Sequence, residues 1–331
     1  MELSRRPKAF ARRIAVGLIL GLAATAMAAP KSLTLAVADV PHAAPILIAD
    51  AKGYFAAEGL SLKVVHCAVG RICLQQLLDG NAQFATVADV PIALAGLTRK
   101  DFSVVATTTI SGRENRMIVR QDRGIRGAAD LKGKRIGTVI GTSAHYFTES
   151  VLIYSGVSVS DVTIVPLDPS DVVGPLQRGE IDAAGLFEPH GRDVLRRLGV
   201  QVRALPIPEI LSTTFNLVSV SAAAGARDED ILKLLRAIQR ANELIRDNPE
   251  SAHRIAAAAL KRDPESLAEF WDDFDFRLQL GQPLVTTLEA QARWAMRDKP
   301  AGARTAIPDF LDLIRPEPLR SLDARAVRLV K

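Results

Sequence analysis

Aromatic side chains are scarce in this chain, 5% of 331 residues, with two Trp and three Tyr. Histidines number five and are scattered, at His42, His66, His145, His190 and His253. Cysteines number two, Cys67 and Cys73. No G-x-S-x-G nucleophile elbow, H-E-x-x-H metal helix or G-x-x-x-x-G-K-[ST] phosphate loop occurs. An enzymatic role is therefore not expected, nor is a cofactor or a resident metal. What is present is ordinary: 48% hydrophobic and 24% charged residues, a globular composition whose length suits two compact lobes.

The first 30 residues have the layout of an export signal. Arg5, Arg6, Lys8, Arg12 and Arg13 form a basic head, Ile14–Ala24 an apolar run, and Ala26-Met27-Ala28 an A-x-A exit. The apolar run is shorter than the ~20 residues a helix needs to cross a bilayer. Cleavage of residues 1–28 and a periplasmic location are expected, with a retained anchor as the rival reading and Sec or twin-arginine export both open. That segment holds five basic side chains and Glu2, so of the chain's formal +5 only about +1 belongs to the mature protein. Such a balance gives no support to a nucleic-acid surface.

Cys67 and Cys73 both survive cleavage and enter an oxidising space, where a disulfide persists. Closing so small a loop is worth about 2 kcal/mol in the chain-entropy picture. His66 beside them leaves a metal site as the rival, although C-x5-C matches no zinc spacing.

Strand and helix signals alternate from Leu33 onward. Leu33–Val37, Leu62–His66, Phe84–Val87 and Val104–Ile110 read as strands, with helices opening after Asp39-Val40-Pro41, Gly70-Arg71 and Asp89-Val90-Pro91. A second series begins near Met117, with strands at Arg135–Val139, Val162–Val165 and Ala183–Leu186 and helices at Thr142–Tyr154 and Asp171–Arg178. Val200–Leu205 reads as an edge strand and Asn216–Ser221 as a returning one. The remainder reads as helical, through Asp228–Asp247, Thr286–Met296 and Leu322–Val330, with Trp271 and Trp294 as packing residues. Strands separated by single helices predict an α/β protein with mostly parallel sheets, flanked by helices. Two series predict two lobes: residues 32–116 with a return over 214–331, and residues 117–213. Ligands of such sheets collect at the strand tips, so facing lobes make a hinged cleft.

Gly53-Tyr54-Phe55-Ala56-Ala57-Glu58-Gly59-Leu60 opens an ordered set of phrases. Asp130-Leu131-Lys132-Gly133-Lys134-Arg135-Ile136-Gly137, Gly141-Thr142-Ser143, Gly179-Glu180-Ile181-Asp182-Ala183, Glu188-Pro189 and Gln291-Ala292-Arg293-Trp294 follow. The set resembles the nitrate/sulfonate/taurine-type substrate-binding proteins of ABC transporters, whose relatives include binders of a thiamine-precursor pyrimidine. The resemblance covers residues 32–331. It implies a type II periplasmic binding fold, a monomer with a small-molecule ligand, and an ABC permease in the inner membrane as partner.

Several loops are candidates to touch the ligand. Thr142, Ser143 and His145 follow Gly141 at a helix start, where free N–H groups and hydroxyls make an acceptor-atom site, or a plain N-cap. Asp39 and His42 end the first strand, and Asp39 can instead cap the helix behind Pro41. Gly70 and Arg71 open the next helix, and Arg71 can pair with a carboxylate, sulfonate or phosphate. Asp89, which can instead be a second helix cap, is placed at the same rim, Glu188 faces the cleft from the other lobe, and Asn216 sits on the returning segment near the hinge. The acids Asp39, Asp89 and Glu188 disfavour a bare dianion and point to a solute with N–H donors or a positive group. The expected function is delivery of a small organic solute to an importer. A partner of a membrane sensor and a metal-binding periplasmic protein are the alternatives.

Overall fold

Short apolar runs, each ended by a turn and followed by a helix, build two sheets. The computed structural model describes residues 32–297 and 306–330; the expected export signal lies outside them. The strands are β1 (Leu33–Ala38), β2 (Leu62–Cys67), β3 (Phe84–Ala88), β4 (Phe102–Ser111), β5 (Asn115–Arg120) and β6 (Arg135–Thr138). They continue with β7 (Thr163–Pro166), β8 (Ala183–Phe187), β9 (Val202–Ala204), β10 (Thr213–Val220), β11 (Asp275–Gly281) and β12 (Val327–Arg328). The helices are α1 (Ala44–Ala51), α2 (Tyr54–Ala57), α3 (Gly70–Leu78), α4 (Asp89–Gly96), α5 (Ser143–Tyr154) and α6 (Gly174–Gln177). The later ones are α7 (His190–Leu198), α8 (Asp228–Asp247), α9 (Pro249–Ala259), α10 (Pro264–Ala268), α11 (Gln282–Met296) and α12 (Glu317–Leu322).

The larger sheet has the order β12-β11-β4-β10-β3-β1-β2 and the smaller β7-β6-β8-β5-β9. The chain passes between them twice, over residues 112–114 after β4 and 205–212 before β10. Asn115 Nδ2 donates to Thr213 Oγ1 at 3.2 Å and ties the two crossings together. Strands beside the crossings run against their neighbours: β10 is antiparallel to β3 and β4, and β5 to β8 and β9. The sheets are therefore mixed where the alternation of strands and helices predicts mostly parallel ones. A strand that enters from the other sheet without a covering helix has no crossover to turn it round.

β10 is buried at all eight positions because it sits in mid-sheet. Its polar side chains survive there by pairing: Asn216 accepts from Thr107 Oγ1 at 2.7 Å and donates to Thr214 Oγ1 at 3.2 Å. On α8, Ile231, Leu234, Leu235 and Ile238 form the buried stripe, each such side chain contributing ~1.5–3 kcal/mol.

Three segments depart from the periodicity reading. Residues 171–178 hold only the one-turn α6, because Asp171 Oδ1 accepts from the Gly174 N–H at 2.9 Å and holds a turn ahead of it. Asp275–Gly281 is a strand within the stretch that reads as helical, with the less exposed Phe276, Leu278 and Leu280 alternating with Asp275, Arg277 and Gln279. Leu322–Val330 is not a helix: α12 ends there and Val327–Arg328 joins the edge of β11.

Candidate ligand-binding cleft

Two neighbouring cavities open between the sheets, and Ser143 borders both. The smaller, about 20 Å³, is walled by His42, Gly70, Arg71, Glu114, Thr142 and Phe215, among others. The larger, about 280 Å³, is walled by Asp89, Tyr146, Thr213, Thr287 and Gln291, among others. Most lining residues come from the tips of β1 and β3, the crossing segments and the first turns of α3 and α5, where open α/β sheets collect ligands, and α11 closes the larger cavity.

Buried acids dominate this wall. Glu114, 1% exposed, lies in the first crossing. Burial pushes its carboxyl up to about 8, with a hydrogen bond from Asn115 and the neighbouring Ser143 and Thr213 pulling the other way. Asp89, also 1% exposed, accepts from the backbone of Val90 at 2.8 Å and of Thr214 at 2.9 Å. Burial still raises it to about 6, against those bonds and one from Gln291. His42 stacks on Phe215 with ring centroids 3.2 Å apart, and burial holds its pKa well below the ordinary value. His42 Nδ1 stands 4.0 Å from Glu114 Oε2. That approach is not an ion pair, since burial favours the neutral form of both groups.

The structure gathers His42, Gly70, Arg71, Asp89, Thr142 and Ser143 on the cavity walls. Arg71 is exposed and reaches the turn at Gly141, where φ is +74°. Thr142 is the N-cap of α5, but its hydroxyl turns back to the Val139 carbonyl at 2.6 Å and makes no cap bond. Four candidates are placed elsewhere. Asp39 is half exposed and meets His66 Nδ1 at 2.6 Å. His145 faces Glu149, Nε2 to Oε1 at 3.3 Å. Glu188 is fully buried and paired with Arg116; burial raises its pKa, against the pull of Arg116. Asn216 is sealed within the sheet by the bonds given above.

Glu114, Phe215 and Tyr146 are among the wall residues that strand-tip reasoning misses, with Thr213, Thr287 and Gln291. Glu114 lies in the short polar turn Ser111-Gly112-Arg113-Glu114-Asn115, where an acid reads as solvated; only the crossing of the chain brings it inward. Cys67 and Cys73 are both buried and lie side by side, with no disulfide joining them here. They hydrogen-bond each other, which foremost lowers the Cys67 thiol, while burial pushes Cys73 up. Among the described residues no group of three or more His, Cys, Asp or Glu side chains is placed to hold a metal.

Residues 40–252 match the family described as NMT1/THI5 like. The chain belongs to that family. The taurine-binding periplasmic protein of Escherichia coli is 28% identical to this NMT1/THI5-like chain over 160 residues, 48% of this chain and 49% of that protein. The alkanesulfonate-binding protein SsuA from Xanthomonas axonopodis pv. citri, solved bound to MOPS, superposes with a TM-score of 0.71 at 20% identity. That likeness covers 92% of this chain and 100% of SsuA. The desulfurization enzyme DszB superposes with a TM-score of 0.65 at 18% identity, over 89% of this chain and 99% of its own. The fold is thus the two-sheet periplasmic binding fold, on which both binding proteins and an enzyme are built. No helix among the described residues is long and apolar enough to cross a membrane.

Proposed function

We propose that this NMT1/THI5-like protein is the periplasmic solute-binding component of an ABC importer. Residues 32–116 and 214–331 form one lobe and 117–213 the other, and the export signal over residues 1–28 is removed. A small organic solute, such as a sulfonate, a taurine-like compound or a pyrimidine, enters between the lobes and is handed to a membrane permease. The mature protein acts as a monomer. The observation that carries this reading is the paired cavity between the sheets, walled by His42, Arg71, Glu114, Thr142 and Ser143 from both sides of the cleft. Family relatives named for taurine and alkanesulfonates support the solute class.

Binding rather than chemistry suits this wall. Cys67 and Cys73 are occupied with each other and the cavity walls are formed by other residues. Closure of the lobes on a solute would shift the population toward the form a permease recognises. A useful affinity is near micromolar, about −8 kcal/mol.

A thermal-shift screen of the mature protein against sulfonates, aromatic acids, amino acids and pyrimidines tests the reading. A true ligand at 100 times its dissociation constant adds about 2.7 kcal/mol of stability. Arg71→Ala should weaken that ligand about tenfold while leaving the unliganded melting temperature in place. A screen in which no small solute stabilises the protein would count against the importer role.

A further inference from the structure

Glu114 Oε2 and His42 Nδ1 are both buried and neither has a hydrogen-bond partner. They face each other at 4.0 Å on the wall of the small cavity. That is too long for a direct hydrogen bond. A single nitrogen about 2.9 Å from each atom would subtend about 90° between them, about 20° inside the roughly 109° between two N–H bonds of an ammonium, a bend that hydrogen bonds tolerate. The other carboxyl oxygen is held by Asn115 Nδ2 at 3.0 Å, so Oε2 has a set direction.

The charges around the pair have one sign at depth. Asp89 raises the Glu114 pKa through its own charge, and Ser143, Thr213 and Asn115 contribute only neutral donors. Glu188, next to the wall residue Phe187, is neutralised by Arg116. The cation on the small cavity's wall is Arg71, exposed at its mouth. An anionic head pushed to the deep end would face two carboxyls, whereas a cationic head would be matched by them.

We propose that the deep end of the cleft takes a protonated amino group of the solute, held between Glu114 Oε2 and His42 Nδ1, with the rest of the molecule in the larger cavity. This rests on the solute-binding reading above and adds to it the chemical class of the head group. His42 accepts through Nδ1, so its proton sits on Nε2. Burial keeps Glu114 protonated up to about pH 8 when the site is unliganded. An ammonium on Oε2 displaces that proton, so binding releases it to the buffer and tightens as pH rises toward 8. An anion would need the protonated carboxyl as donor and would weaken over the same range.

Calorimetry on the mature protein with matched probes tests this: taurine against isethionate, 3-aminopropanesulfonate against propanesulfonate, ethanolamine against ethylene glycol. The expected result is tenfold or tighter binding of the amino member of at least one pair. Its affinity should rise about fiftyfold between pH 6 and pH 8, with a buffer-dependent heat that reveals proton release. Glu114→Gln should remove that pH dependence; should this variant not fold, the proton release of the wild type still decides. Amine-free members that bind as well as their partners, and weaken as pH rises, overturn the head-group assignment while leaving the solute-binding role standing. A panel in which neither kind binds overturns both.

Discussion

Trp294 donates its indole Nε1–H to Glu149 Oε2 at 2.6 Å, joining α11 beside the large sheet to α5 on the small one. Arg297 reaches the same oxygen at 3.0 Å, and His145 approaches the other at 3.3 Å. Burial alone would raise the Glu149 carboxyl, but these donors outweigh it and pull it down to about 2. Trp294, which reads as a packing residue in the sequence, thus lies on a contact that the proposed opening of the cleft would break.

Glu149→Ala should favour the open form by roughly 1–2 kcal/mol, about 5–30-fold in the open-to-closed ratio. The Trp294 emission should shift to longer wavelength as water reaches the ring. Because the folded pKa lies below the ordinary 4.5, the wild-type contact is complete above that value and is lost as pH falls from 4.5 toward 2. An emission spectrum identical in both proteins at neutral pH would dismiss the contact as a closure element.

Glu114 acts in the opposite sense. Its folded pKa of about 8 lies above the ordinary 4.5, so its contribution is complete below 4.5 and lost as pH rises from 4.5 to 8. The unliganded protein should lose roughly 2–5 kcal/mol of stability over that window, less where water penetrates. Glu114→Gln should flatten the decline. Urea unfolding at pH 5 and pH 8 measures it, and equal slopes for the two proteins would show that the carboxyl titrates normally.

Gly70→Ala should disturb the cleft through the backbone. A Cβ there would lie 3.2 Å from the Thr86 carbonyl oxygen and from Val87 Cα, and 3.3 Å from the Ala88 nitrogen. Main chain of a central strand cannot swing away as a side chain can, so α3 must shift and carry Arg71 with it. The expected cost is roughly 1–3 kcal/mol, with weaker solute binding. Unaltered melting and affinity would mean that the helix start gives freely.

Cys67 and Cys73 flank the loop that carries Val69, Gly70 and Arg71 to the cavity. Mature protein kept under oxidising conditions should show no free thiol before reduction and two after it. The oxidised form should be about 2 kcal/mol more stable. Two titratable thiols without reductant would establish that the pair stays reduced.

Most strands and the long helices are legible in the sequence, because each depends on local periodicity. Leu33–Ala38 and Phe84–Ala88 are apolar runs ended by turn signals, and α8 carries a helical stripe over twenty residues. Strand β11 alternates apolar with polar or charged residues instead of forming an apolar run, and its place among helices hides it. The strand tips likewise mark His42, Gly70, Arg71, Asp89, Thr142 and Ser143 as wall residues, since chain direction alone puts them at one rim.

What local pattern cannot convey is which way a side chain turns once it reaches the rim. Asp39 has a solvent-side partner in His66, His145 and Glu149 turn to the opposite lobe, and Glu188 is claimed by Arg116. Those choices depend on partners 4 to 145 residues away along the chain. The same holds for Glu114, an acid in a polar turn that the crossing of the chain nevertheless buries opposite His42. By itself the sequence determined the elements, their order and the rim of the cleft, through short-range sterics and hydrophobic periodicity. Only the tertiary structure decided which acids lose water and which polar atoms stay unpaired, because burial and pairing are properties of the packed whole.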